Sequence, residues 1–157
     1  MQHEATVTWT AGAADAAAVT AGRYSRVHRI GFDGGAALKG SPSPAFVPAP
    51  WSDPGAADPE EMFVASAAAC HMLWFLDLAR RAGHAAASYE DRAVGVMEKN
   101  DAGALWISRI ALRPRIVWQG EAPSAEEVAR LHQAAHRRCF IANSMKTEIT
   151  VAQEVSA

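Results

Sequence analysis

Two cysteines, Cys70 and Cys139, are the strongest nucleophiles this sequence offers, and they stand 69 positions apart with no C-x-x-C pair. A thiol reacts as its thiolate, and an ordinary cysteine with a pKa of about 8.5 is mostly protonated at neutral pH. A working cysteine therefore needs a cation or a hydrogen-bond donor beside it. Cys70 sits in the run DPEEMFVASAAACHMLWFLDLARRAG, residues 58–83. The helix expected there begins twelve residues earlier, too far for its positive end to help. His71 points roughly 100° away around that helix. An arginine from elsewhere is the natural partner, and Arg23, Arg26 and Arg29 are the candidates. Glu60 precedes Cys70 by ten residues, about 15 Å of helical rise, so it does not reach its own Cys70. A second copy of the helix packed alongside would bring its Glu60 there, as a two-fold homodimer allows. The plainer readings are a buried thiol used as core filler and a glutamate that complements the helix dipole.

These residues need elements to hold them. Glu4–Thr10 alternates and reads as a first strand, Arg23–Phe32 as a second, and Ala36–Lys39 as a third after the turn Asp33-Gly34-Gly35. The alanine-rich link between the first two is a loop or a weak turn of helix. Ser41–Pro54 holds five of the eight prolines and is expected to be a stiff irregular loop. Asp58, Pro59 and Glu61 form a helix start with a capping box. Arg80, Arg81 and Gly83 close the helix. Between these ends it is apolar on nearly every side, so it must be surrounded. Ser88–Lys99 and Leu105–Trp118 are expected to form one long hairpin about the turn Asn100–Gly103. Trp106, Ile110, Leu112, Ile116 and Trp118 share its core face, and Arg109, Arg113 and Arg115 the wet one. Ser124 and Glu127 cap a second helix with the stripe Val128, Leu131, Ala135 and Cys139. Met145–Val151 is the last strand. Strands, core helix, hairpin, helix and strand make an α+β chain, residues 1–157 as a single domain.

Composition narrows the function. Half of the 157 residues are hydrophobic, a fifth are charged and the net charge is −2. No long basic run exists, so nucleic acid is not an expected partner. The start MQHEATVTW lacks the pattern of a signal peptide. The longest uncharged run, Met62–Leu76, is 15 residues and too short to span a bilayer. A cytoplasmic protein with no membrane partner is the expectation. His132 and His136, with Cys139 three further on, place three zinc-type ligands on one helical face but lack a fourth. Exposed helix histidines are the plainer reading, and no metal is assigned.

The stretch DPEEMFVASAAACHM, Asp58 through Cys70 above all, resembles the N-P-E-E/Q-L-F-A-A-A-x-x-A-C motif of the osmotically inducible and organic hydroperoxide resistance (OsmC/Ohr) family. Cys139 in HRRCFIANSMKTEITV sits where that family carries its second cysteine, before a final strand. The resemblance implies an intertwined homodimer, with antiparallel sheets wrapped around two central helices. It implies a thiol peroxidase that reduces organic hydroperoxides, with Cys70 as the peroxidatic and Cys139 as the resolving cysteine. It gives Glu60 the role of orienting an arginine, here Arg26, beside the thiolate. His28, on the same strand face, and Phe63 and His71 are the candidate substrate-binding residues. The reductant would be an external dithiol, in this family often lipoyl, and no cofactor is implied. The loop before the helix lacks the arginine common in the family, Phe140 stands where a proline often follows the second cysteine, and His71 replaces an aromatic residue. These departures mark a divergent branch. A non-enzymatic dimer of this fold, binding a small apolar ligand or sensing redox state, is the alternative.

Overall fold

The computed structural model describes residues 1–152. The chain divides into two compact units, residues 1–62 and 63 onward.

The first unit holds strand β1 (Ala5–Thr8), a single-turn helix α1 (Ala16–Thr20), β2 (His28–Phe32) and β3 (Ala37–Gly40), and ends in the first turn of helix α2 (Pro59–Arg81). The alanine-rich link forms α1 because Asp15 caps it, accepting the Ala18 N–H at 2.7 Å. The strands pair antiparallel in the order β1-β2-β3. Val7, Ile30 and Leu38 stand in one row across them. The proline-rich loop is tied down by backbone bonds, Arg26 N–H to Trp51 O at 2.9 Å and Ala57 N–H to Lys39 O at 3.1 Å, and by a Lys39–Asp53 ion pair. The capping box forms as the sequence predicts: Asp58 Oδ1 accepts from Glu61 N at 2.7 Å and Glu61 Oε2 from Asp58 N at 3.1 Å.

The second unit carries the rest of α2, then β4 (Ala85–Asp91), β5 (Val94–Lys99), β6 (Leu105–Leu112), β7 (Pro114–Gln119), helix α3 (Ala125–Arg138), a 3-10 turn at Ala142–Ser144 and β8 (Glu148–Val151). Here the expected long hairpin is corrected. Its two arms break at the same level, and the halves join different sheets: β4 pairs β7, while β5 pairs β6. At the break Pro114 has no N–H to give the ladder, and Asp91 Oδ1 takes the N–H of Arg113 at 2.7 Å. Trp106, expected in the core, is exposed near the hairpin tip. The last strand pairs parallel with β6.

Helix α2 is 23 residues long, and among the described residues it is the one helix long and apolar enough to cross a membrane. The 15-residue uncharged run understated its length, because Asp77 and the terminal charges belong to it. Its buried stripe Ala67, His71, Phe75, Ala79 makes it the core helix of the second unit. Ala67 packs with Ile110 and Leu112 of β6, with Phe63 and Val64 against them. Two to three turns on, Phe75 and Ala79 pack with Leu131 and Ala135 of α3, flanked by Tyr89, Ile116 and Trp118 of β4 and β7. A sheet at one end and a helix at the other thus hold α2 along the stripe that repeats every fourth residue. The opposite face stays open in the protomer: Ala65, Ala69 and Leu73 are exposed, Leu73 by 64%.

Candidate functional site

The two thiols meet. Cys70, half-buried on α2, neighbours Cys139, which is buried at the C-cap of α3. Helix α3 ends there because Cys139 leaves helical geometry at ψ 111°. The turn that follows folds back, and the Ala142 N–H donates to Cys139 Sγ at 3.3 Å. Burial, and then the hydrogen bond with Cys70, push the Cys139 thiol up to about 11. At neutral pH Cys139 is therefore a protonated thiol. Neither cysteine is in a disulfide.

Aromatic residues flank the pair. Trp74, one helical turn after Cys70, meets Phe140, the residue after Cys139, edge to face at 5.5 Å between centroids. The Arg138 guanidinium lies 5.8 Å over the same indole. Sequence reasoning passed over these three. Their signal was adjacency, since Trp74 shares a helix face with Cys70 and Arg138 and Phe140 bracket Cys139.

Behind the thiols lies a second polar pair. His71 Nε2 and His132 Nδ1 are 3.0 Å apart in the core, and the two rings are nearly coplanar in orientation, 12° apart. Phe75 stacks on His132 at 4.2 Å. Burial first, then the charge of His136, lower His71 to about 4; burial and then His71 lower His132 likewise to about 4. Both imidazoles are neutral at pH 7. The expectation of an exposed histidine on α3 is thus corrected at His132, which continues the apolar stripe four residues after Val128. His71 is 1% exposed, its ring turned to His132. With His132 committed there, the zinc-type constellation dissolves. Among the described residues no group of three or more His, Cys, Asp or Glu is set to hold a metal ion.

The remaining candidates fall elsewhere. Phe63 is half-buried against the Ala67, Ile110 and Leu112 cluster. In the first unit, the Arg26 guanidinium stacks on Tyr24 at 4.3 Å and reaches the carbonyls of Tyr24 and Gly22 at 3.4 and 3.5 Å. Among the described residues it pairs with no carboxylate, and Glu60 pairs with no cation. His28 Nδ1 is 2.9 Å from the Arg26 carbonyl, and its ring fills the space that Gly40 leaves by having no Cβ.

The chain belongs to the OsmC-like family: the model of that family, described as OsmC-like protein, matches residues 52–154. An OsmC-like protein of unknown function from Vibrio cholerae is 41% identical over 97% of this chain and 98% of its own, with a TM-score of 0.91. An organic hydroperoxide resistance protein from Elizabethkingia anophelis shares the fold at a TM-score of 0.68 and 18% identity, covering 96% of this chain and 92% of that one. The organic hydroperoxide resistance protein OhrB of Bacillus subtilis does so at 0.63 and 15%, with 96% of each chain covered. No curated protein matches the chain. The fold is the α+β architecture of these proteins, with mainly antiparallel sheets and helices.

Proposed function

We propose that this chain is a two-cysteine thiol peroxidase that reduces organic hydroperoxides. The observation that carries the reading is the proximity of Cys139 to Cys70, which puts a second thiol beside the first. The Cys70 thiolate attacks the distal oxygen of ROOH, the O–O bond breaks, and the alkoxide leaves as ROH after taking a proton. Cys70 is then a sulfenic acid. Cys139 sulfur attacks Cys70 Sγ, the S–O bond breaks, and the hydroxyl leaves as water with the thiol proton. An external dithiol, lipoyl among the candidates, takes the disulfide back to two thiols and is itself oxidised.

Cys70 and Cys139 are the proposed catalytic residues. Glu60 and Arg26 keep the roles the family resemblance gives them, the carboxylate orienting the guanidinium and the guanidinium stabilising the thiolate. His28, Phe63 and His71 remain candidates for substrate binding, with Phe63 the apolar one. The open face of α2, Ala65, Ala69 and Leu73, calls for an apolar cover, and a second copy of this chain is the cover proposed. The chain is proposed as one OsmC-like domain working in the reducing cytoplasm, where two free thiols persist, with no nucleic acid, membrane or cofactor in the reaction.

The test is consumption of alkyl, aryl and fatty-acyl hydroperoxides with dihydrolipoamide or dithiothreitol as reductant. Turnover that Cys70→Ser abolishes is expected. Wild-type protein inert toward all three classes would overturn the reading. The alternative, a dimer that binds an apolar ligand or senses redox state, draws on Arg26, whose guanidinium is engaged on Tyr24 and on carbonyls instead of a carboxylate. Wild-type inertness combined with reversible oxidation of the two thiols would favour it.

A further inference from the structure

We propose that the buried hydrogen bond between His71 and His132 is a positioning device, fixing helix α3 against helix α2 in the register that keeps Cys139 beside Cys70.

The two histidines sit on the same two helices as the two thiols. His71 follows Cys70 directly on α2, and His132 lies seven residues, two turns, before Cys139 on α3. The residues packed around the pair between the helices are apolar, Phe75 and Ala79 against Leu131 and Ala135, while the Cys70–Cys139 contact and Arg138 over Trp74 lie toward the end of α3. Apolar contacts tolerate sliding and rotation, because they are not directional. A 3.0 Å bond between two ring nitrogens does not. One buried polar pair in an otherwise greasy layer is a register device of the kind that fixes partner and phase in coiled coils. Phe75 stacked on His132 restricts the ring further.

The orphaned nitrogen assigns the tautomers. His71 Nδ1 is buried and has no partner. A bare acceptor left unpaired costs less than an N–H left unpaired. His71 therefore carries its proton on Nε2 and donates, and His132 accepts at Nδ1 and carries its own proton on Nε2. The groups that face the pair are His136 on α3, which acts on His71, and Tyr89 on β4, whose ring packs on Phe75 at 5.8 Å and whose hydroxyl is buried without a partner. Neither bonds to the pair, so among the described residues the His–His bond is the one hydrogen bond the two rings make.

The proposal rests on the two-thiol reading, but its test does not need peroxide. Diamide oxidises the two thiols directly: the Cys70–Cys139 bond forms, both S–H bonds break, and diamide takes the two electrons and two protons as its hydrazine. The readouts are the rate of diamide closure and the thiol–disulfide equilibrium against dithiothreitol, on protein whose fold is checked by circular dichroism. His132→Asn offers an amide oxygen near the Nδ1 position and should close within a few-fold of wild type. His132→Leu and His132→Phe remove the acceptor while filling the space. They should close about tenfold or more slowly, because an intramolecular step loses that much when its partners are misplaced by a fraction of an ångström, and their disulfide should be easier to reduce. Equal closure rates in a folded Leu or Phe variant and in wild type would overturn the proposal. If both apolar variants fail to fold, the nitrogen-15 signals of wild-type His71 and His132 decide. The proposal requires a protonated Nε2 and a bare Nδ1 on His71 in both the dithiol and the disulfide states, and a bond that breaks on oxidation would end it. Inertness to peroxide with normal diamide behaviour would remove the peroxidase reading and leave this one standing.

Discussion

Trp74 and Phe140 touch edge to face at 5.5 Å, and each is tied to one of the two thiols, Trp74 four residues after Cys70 and Phe140 next to Cys139. Phe140 is 69% exposed, so little else holds it in place. Closing a disulfide needs the two sulfurs to approach from contact to about 2.05 Å. Because α3 ends at Cys139, the backbone there and the attached Phe140 are the parts free to move, and Trp74 feels the change. Oxidation is expected to alter tryptophan emission. Trp74→Phe should abolish most of that change although four of the five tryptophans remain. A redox-dependent signal of full size in Trp74→Phe would place the movement elsewhere.

The protonated state of Cys139 sets which sulfur reacts first. With its thiol pushed up to about 11 by burial and by the bond to Cys70, Cys139 should resist iodoacetamide at pH 7.5, where label should appear on Cys70 by peptide mass spectrometry. The sign of the linkage follows. An unfolded cysteine ionises near 9, and the folded one holds its proton to about 11. The unfolded chain therefore loses a proton first, and stability drops as pH rises through that window, by about 1.4 kcal/mol per pH unit at most. Cys139→Ala should flatten the alkaline fall in Tm. With peroxide, Cys139→Ser should halt after one equivalent with Cys70 as a sulfenic acid that dimedone traps. A full-speed multiple turnover in that variant would contradict a resolving role.

Much of this was legible beforehand because local chemistry decides it. The cap of α2 needs only Asp58 and Glu61, and both hydrogen bonds form. The stripe of α3 read Val128, Leu131, Ala135 and Cys139, and three of the four pack as spaced, with Cys139 1% exposed. The split hairpin was not legible, since the even-numbered apolar residues Ile110, Leu112, Ile116 and Trp118 keep step straight through Pro114. Beside the N–H that Pro114 lacks, it is the capture of the Arg113 N–H by Asp91, 22 residues away, that marks the break. His132 fits the α3 stripe as well as Val128 does, but the residue that makes its burial affordable is 61 positions off on another helix. Arg26 was singled out for chemistry on its charge, and what decides its placement is Tyr24, two residues back.

Acid should unlock the histidine pair. Both imidazoles are held near 4, and a free histidine titrates at 6.5. Between those values the unfolded chain binds protons that the folded chain refuses. Stability is then unaffected above about pH 6.5 and falls as pH drops toward 4, at about 1.4 kcal/mol per pH unit for each proton taken up. Thermal melts between pH 7 and 4 should show the decline, and His132→Asn, with one histidine fewer to charge, should show a shallower one. Identical slopes in the two proteins would remove the buried pair as its source.

Gly95 on β5 lies directly against helix α2. A Cβ built there would lie 2.5 Å from Val64 Cγ2 on α2 and 3.4 Å from Ile107 Cγ2. Real Cβ atoms do not tolerate the first distance, and Val64 is a β-branched side chain with little freedom to turn away. Gly95→Ala should therefore cost about 1–3 kcal/mol, as forcing an extra carbon into a close contact does. Urea melts would measure it. The cause is separable from any strand preference of glycine, because trimming Val64 to alanine removes the clashing methyl. The double variant Gly95→Ala, Val64→Ala should be more stable than the sum of the single losses predicts, by about 0.5–3 kcal/mol of coupling. Strict additivity would mean that the helix and sheet do not meet at this point.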